Sequence, residues 1–408
     1  MKKIIQTFSV LPDSNKSMVY LMWIYGVWVI ITTIFINIYI FQLNDSYVEV
    51  IIYNMLFYTS TFLWFSGVGW YMWYKQKDIK NMYYIGYVLF ILSFVILFVF
   101  SQHTLGVYIF SVIYAFWNGA FWNAVHSQEL KNIKDKNRDF YSSSISAGMN
   151  LIDVLVPLLI AVVFYVWDVF LFDGYTILFA ILPLIYVLSF IFIHRIDSYI
   201  PDRVSYDDCK NFFNMKKYKF GHLYYFIWGV RNGLKAAVIW IVAIILLETE
   251  MNVWFFQWIL ALMSMFVVMH FSLKRHTENR LHYLATLSVL LFINFLIFSL
   301  YFSVIFFLIF SFVLIFLESL YRVSEHTYDL SLMDNVKTPT SDFYPSMLLR
   351  ELVLYMGRIL ILILLLLLFL YTWIGIENIL RVWIFFMWLS YLFIVVSIYY
   401  WEKHEKHS

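Results

Sequence analysis

The chain has one cysteine in 408 residues, Cys209, too few for a disulfide or a thiolate metal site. Charge is scarce as well. Asp, Glu, Lys and Arg make up 13% of the sequence, against roughly 25% in soluble domains, and a soluble enzyme or binding module is excluded. No Gly-rich phosphate cradle ending in Gly-Lys-Ser or Gly-Lys-Thr occurs, which rules out ATP hydrolysis by this chain. Nothing in the sequence supports nucleic-acid binding, a bound metal, or a light- or redox-active cofactor. Prolines number only six, and two of them, Pro157 and Pro183, fall inside apolar runs. Kinks are expected there.

What is abundant is apolar sequence, 63% of the residues. A spanning helix needs about 20 of them. Twelve such stretches can be traced, at residues 18–42, 48–74, 82–100, 106–127, 142–166, 174–193, 222–247, 253–271, 283–300, 304–325, 346–370 and 378–401. They use nearly the whole chain and leave no room for a soluble domain. The longest connection, residues 194–221, holds Cys209 and has room for one or two short interfacial helices.

The basic residues are sorted by side. Of 28 Lys and Arg, 22 lie at the two termini and in the connections that follow even-numbered stretches; the other six lie within or at the edges of stretches. The opposite connections carry only acids: Asp45, Glu49, Asp168, Asp173, Glu248, Glu250 and Glu377. Basic connections stay in the cytoplasm. The sequence therefore reads as an all-α polytopic protein of the plasma or inner membrane, with both termini cytoplasmic.

The two halves of the chain resemble each other. Trp23-Ile24-Tyr25-Gly26-Val27 aligns with Phe226-Ile227-Trp228-Gly229-Val230 at an offset of 203. At the same offset, Asp139-Phe140-Tyr141-Ser142-Ser143 matches Asp342-Phe343-Tyr344-Pro345-Ser346. In the fourth and tenth stretches the offset is 200, pairing Phe121 with Tyr321, His126 with His326, Glu129 with Asp329 and Leu130 with Leu330. Six stretches per half is an even number, so both copies insert in the same orientation, as parallel repeats.

On these features the chain resembles the major facilitator superfamily, as a divergent member. The resemblance spans six plus six helices, cytoplasmic termini, a long central connection and short basic connections after the second and eighth stretches. It implies two six-helix bundles, residues 1–193 and 222–408, joined by a cytoplasmic connection, residues 194–221. The family's signature after its second helix is only partly present. Gly67, Gly69, Lys75, Lys77 and Lys80 match its glycines and bases, but Trp73 stands where an acid belongs; the counterpart, Ser272-Leu273-Lys274-Arg275-His276, is similarly degenerate.

Charged residues inside the stretches are the candidate site. Each costs about 2.5–3.5 kcal/mol at a helix centre, so each is expected to face a bundle interior or a watery cavity. In the seventh stretch Arg231 and Lys235 are four apart, on a stripe with Tyr224 and Trp228; the duplication maps that stripe onto Tyr25, Trp28 and Thr32. The tenth stretch carries Glu318, Arg322 and Glu325 on one face, with Glu318 and Arg322 spaced for an intrahelical ion pair. The matching face of the fourth stretch is Asn118, Trp122 and His126. The resemblance implies that stretches 1, 4, 7 and 10 line a central cavity. Tyr25, Trp28, Asn118, Trp122, Trp228, Arg231, Lys235, Glu318 and Arg322 are then the candidate substrate-binding residues. Asp153 and Glu318 are candidate proton carriers, because low dielectric favours a neutral carboxyl. Glu351 and Arg358 are expected to form a gate or an intrahelical tether. His126 and His326 read as interfacial caps.

These residues point to a secondary transporter rather than an enzyme. It would move a small solute, anionic or zwitterionic by the positive lean of the cavity, with H+ as a candidate coupling ion, and it would act as a monomer in the lipid bilayer. Two alternatives stay open: a transporter-like receptor or assembly factor without flux, and a membrane-embedded enzyme acting on lipid-linked substrates.

Overall fold

The computed structural model describes residues 11–100, 103–133, 135–170, 183–184, 186–213, 219–271, 280–335, 343–370 and 376–405. All regular elements among the described residues are helices. Half of the sixth stretch and the degenerate signature at Ser272–His276 lie outside the described residues.

The first stretch is α1 (Asp13–Ile30), which passes through a π-helical segment, Ile31–Ile36, into α2 (Asn37–Asn44). Then follow α3 (Tyr47–Tyr74), α4 (Lys80–Phe100), α5 (Thr104–Asn132), α6 (Asp135–Phe170) and α7 (Ser189–Arg195). The central connection contains α8 (Tyr206–Phe213), in which Cys209 is buried. The seventh stretch repeats the pattern of the first: α9 (Lys219–Leu234), a π segment at Lys235–Ile239, and α10 (Trp240–Leu247). The rest is α11 (Glu250–Phe271), α12 (Arg280–Leu300), α13 (Val304–Asn335), α14 (Tyr344–Leu370) and α15 (Ile376–Glu405). Among the described residues, eight helices are long and apolar enough to cross a bilayer. Pro157 sits inside α6, which continues through it.

The molecule presents an apolar surface and buries charged and amide side chains within a largely hydrophobic core. Large aliphatic side chains such as Leu63, Val88, Leu159 and Ile305 are exposed, while Asn54, Glu129, Arg231, Asp329 and Arg350 are buried. Only a lipid surround makes that distribution stable, since in hydrocarbon the polar groups must find one another. The chain is a multi-pass membrane protein.

Helix packing repeats between the halves. α1 lies on α6 and α7 as α9 lies on α14 and α15; α3 lies on α5 as α11 lies on α13; α4 lies on α5 as α12 lies on α13. The halves meet through α3 against α14 and α6 against α11, two contacts that exchange under the same repeat. The matched glycines explain part of the sequence likeness. A Cβ on Gly229 would fall 2.2 Å from the Leu354 carbonyl oxygen, and one on Gly357 would fall 2.2 Å from that of Phe226. These glycines let α9 and α14 approach backbone to backbone. Gly26, the counterpart of Gly229, admits the Met149 side chain of α6 in the same way. The two π segments also correspond, and Asn37, just after the first, reaches the second across the halves: its amide donates to the Ala236 carbonyl at 3.3 Å and accepts from Asn54 at 2.9 Å.

Candidate functional site

A cavity of about 570 Å³ lies between the halves. Its walls keep the duplication in register. From α1 and the first π segment come Tyr25, Val29 and Thr32, and from the corresponding turns of the second half come Trp228, Asn232 and Lys235. From α5 come Tyr114, Asn118, Trp122 and His126, and from α13 come Leu314, Glu318, Arg322 and His326. Both sets are offset by the values read from the sequence. The cavity continues past Phe256 and Gln257 of α11 toward the end of the bundle opposite the basic connections.

Trp28 and Arg231, expected on these walls, are absent from them, and helical geometry gives the reason. At roughly 100° per residue, position i+7 falls about 20° behind i, while i+3 falls about 60° behind. Trp228 and Lys235 are therefore nearly in line, and Arg231 is turned to one side. The same rotation takes Trp28 off the line through Tyr25 and Thr32. Trp28 is buried between Phe90 and Tyr186, and Arg231 lies over the rings of Tyr391 and Tyr321 at 5.0 and 5.5 Å.

The part of the first-half wall supplied by α1 and α5 is uncharged in the residues nearest Tyr25 and internally hydrogen-bonded. The Tyr25 hydroxyl donates to Asn118 Oδ1 at 3.0 Å and accepts from Trp122 Nε1 at 2.8 Å. Its ring stacks on Phe121, and Trp122 stacks on His126. Thr32 donates to the Trp28 carbonyl at 2.7 Å and meets the Tyr114 hydroxyl at 2.9 Å.

The second-half wall is charged. The expected intrahelical pair between Glu318 and Arg322 does not form. Instead α9 and α13, running in opposite directions, make two rungs: Arg231 Nη2 donates to both oxygens of Glu325 at 2.6 and 2.8 Å, and Lys235 pairs with Glu318. Tyr391 donates a further bond to Glu318 at 3.4 Å. Two acids thus take two cations from the neighbouring helix. Arg322, between them on α13, is left exposed to the cavity with no ion pair among the described residues.

Asp153 of α6 lines the same cavity from the other half. It is half-buried, has no hydrogen bond or ion pair among the described residues, and lies within electrostatic reach of Arg322. Arg358 reaches Glu351 on its own helix at 3.8 Å and sits over the Tyr58 ring across the interface at 5.0 Å. Glu351 also pairs with its neighbour Arg350.

Arg350 is the hub of a network that the sequence reading missed. It donates to Asp329 through Nε at 3.1 Å and Nη2 at 2.8 Å, and its Nη1 contacts His126 Nε2 of the other half at 3.2 Å. His126 Nδ1 contacts Glu129 at 3.1 Å, Glu129 faces His326 at 3.9 Å, and His326 meets Ser142 at 2.8 Å. The histidines are not interfacial caps: together with Arg350 they bridge the halves at the end bearing the basic connections. Their symmetry about the repeat was the available signal. Trp73, standing where the family's signature has an acid, is fully buried there and stacks on Tyr344 of α14, whose hydroxyl donates to the Ser66 carbonyl at 2.7 Å. Among the described residues no His, Cys, Asp and Glu cluster could hold a metal ion.

No protein-family model matches the sequence, and no curated protein matches it either. Solved structures do. The human organic anion transporter MFSD10 is 10% identical with a TM-score of 0.64, covering 94% of this chain and 100% of that one. A bacterial homologue of the iron transporter ferroportin, in an outward-facing state, is 11% identical with a TM-score of 0.65, covering 96% of this chain and 98% of that one. The same homologue with soaked iron gives 10% and 0.64 over the same shares of the two chains. The fold is that of the major facilitator transporters. Identities this low carry the fold and leave the substrate to be argued from the cavity.

Proposed function

We propose that this chain is a secondary transporter that moves a small solute with an anionic group by alternating access. The observation that carries this reading is Arg322, a cation in the central cavity with no ion-pair partner among the described residues. An uncompensated charge in such a setting is costly unless a ligand or water meets it. The two six-helix units, residues 1–193 and 222–408, would rock about the α3–α14 and α6–α11 contacts, with residues 194–221 joining them. The charge distribution supports cytoplasmic termini and a plasma or inner membrane location. On that orientation, the Arg350 network closes the cytoplasmic end. We assign proton coupling to Glu318: exchanging Lys235 for a proton there would free a second cation beside Arg322. The protein would work as a monomer.

Thermal stability of the purified protein against anionic, zwitterionic, neutral and cationic solutes tests the reading, with Arg322→Gln run alongside. Stabilisation by solutes bearing an anionic group, lost in the variant, is the expected result. Stabilisation by cations alone would contradict it.

A further inference from the structure

The charges of the cavity wall can be matched one by one. Lys235 is taken by Glu318, and Arg350 by Asp329 and Glu351; Arg358 reaches Glu351. Two charged side chains on the wall remain without an ion pair among the described residues, Asp153 and Arg322. They have opposite sign, come from opposite halves, and do not close on each other, although each lies in the other's field. A simple anion would satisfy Arg322 and leave Asp153 facing a like charge. A simple cation would do the reverse. Only a ligand carrying both charges leaves neither group unmatched in a poorly solvated site.

We infer that the solute is a zwitterion of the amino-acid type, its carboxylate held by Arg322 of α13 and its ammonium by Asp153 of α6. This rests on the transport reading of the same cavity and narrows it. The first half also contributes aromatic lining, Tyr25, Phe57, Tyr58 and Trp122, so the body of the solute is apolar or aromatic. The volume of about 570 Å³ falls in the usual range of roughly 300–1,000 Å³ for small-molecule sites. Because the two ligating groups belong to different halves, the bound zwitterion ties the halves together across the cavity. A solute lacking either charge could not do so. Differential contact of this kind is what lets a ligand shift a conformational equilibrium.

The test uses three probes that share one body: L-phenylalanine, 3-phenylpropionate and 2-phenylethylamine. Their binding to the full-length purified protein is measured by calorimetry or thermal shift. Phenylalanine should bind at least about tenfold more tightly than either single-charge analogue, the scale of one charge-assisted hydrogen bond. In Asp153→Asn, phenylalanine should lose its advantage over 3-phenylpropionate, whose own affinity holds or rises because the facing like charge is gone. In Arg322→Gln, binding of both should be lost. If a variant does not fold, the wild-type series decides alone. Equal affinity for phenylalanine and either analogue overturns the inference, and so does failure of all three to bind. Counterflow of radiolabelled phenylalanine in proteoliposomes separates this inference from the reading beneath it. Selective binding without flux would overturn transport and leave the zwitterion site standing. Flux that does not discriminate the acid from the amino acid would overturn the zwitterion site and leave transport standing.

Discussion

Replacing Arg231 by glutamine is expected to cost stability and spare the cavity. The Arg231 and Glu325 side chains are 3% and 8% exposed, and the guanidinium meets both carboxylate oxygens. Glutamine would leave Glu325 charged, buried and without a cation in contact. Breaking a buried pair in this way costs about 3–5 kcal/mol, because the remaining charge is uncompensated, whereas replacing both partners by apolar groups is often neutral. Glu325→Gln should cost a similar amount by stranding the arginine, less what the Tyr391 and Tyr321 faces return, about 0.5–2 kcal/mol. The double replacement Arg231→Gln with Glu325→Gln strands no charge and should recover much of the loss, so the cycle should show a coupling of roughly 2–3 kcal/mol or more. Equilibrium unfolding in mixed micelles of dodecyl sulfate and a mild detergent measures all four proteins. Ligand affinity at the cavity should be unchanged in any variant that folds. Single losses below about 1 kcal/mol, or strictly additive effects, would show that the pair does not act as this geometry requires. A selective loss of solute binding in Arg231→Gln would return Arg231 to the cavity wall.

Three further substitutions probe helix contacts and the uncharged part of the wall. Gly357→Ala should destabilise by about 1–3 kcal/mol or more, since its Cβ would meet the Phe226 carbonyl of the neighbouring backbone. Gly67→Ala, with nothing within 4 Å of the added atom, should be neutral or stabilise by up to about 1 kcal/mol; thermal unfolding of the pair checks both. Tyr25→Phe removes the hydroxyl shared by Asn118 and Trp122 and leaves the Trp122 N–H without its acceptor. It should cost about 1–3 kcal/mol and weaken solute binding, measured by unfolding and calorimetry on one preparation.

The architecture was largely legible before any coordinates, because the bilayer imposes long apolar runs and sorts the basic connections by side. The duplication was legible for a physical reason as well. Gly26 and Gly229 are required where helices approach closely, and the α5 and α13 matches include His126 and His326, which lie on the cavity wall. Sequence spacing was less able to assign faces. Residues 25, 28 and 32 all fit within one broad helical face, yet Tyr25 and Thr32 reach the cavity and Trp28 does not. Pairing was the least legible of all. Spacing within α13 suggested that Glu318 would hold Arg322, but Lys235, at the start of the π segment after α9, takes it instead, and that choice depends on which helix lies alongside. Arg322 becomes the cation left over only once those partners are known. Likewise, the Arg350 network draws one residue or more from each of α5, α6, α13 and α14, and no spacing along a single helix reports it.

The central claim is that the halves exchange access between two ends, and distances between spin labels test it without knowledge of the solute. On a Cys209→Ser background, one pair at Lys77 and His282 spans the basic end, and a second at Leu105 and Tyr301 spans the opposite end; all four positions are exposed. Arg350→Gln removes the hub of the basic-end network. The account predicts reciprocal change in this variant: the first pair moves apart while the second draws together. Two unchanged distances, or two that lengthen together, would contradict it.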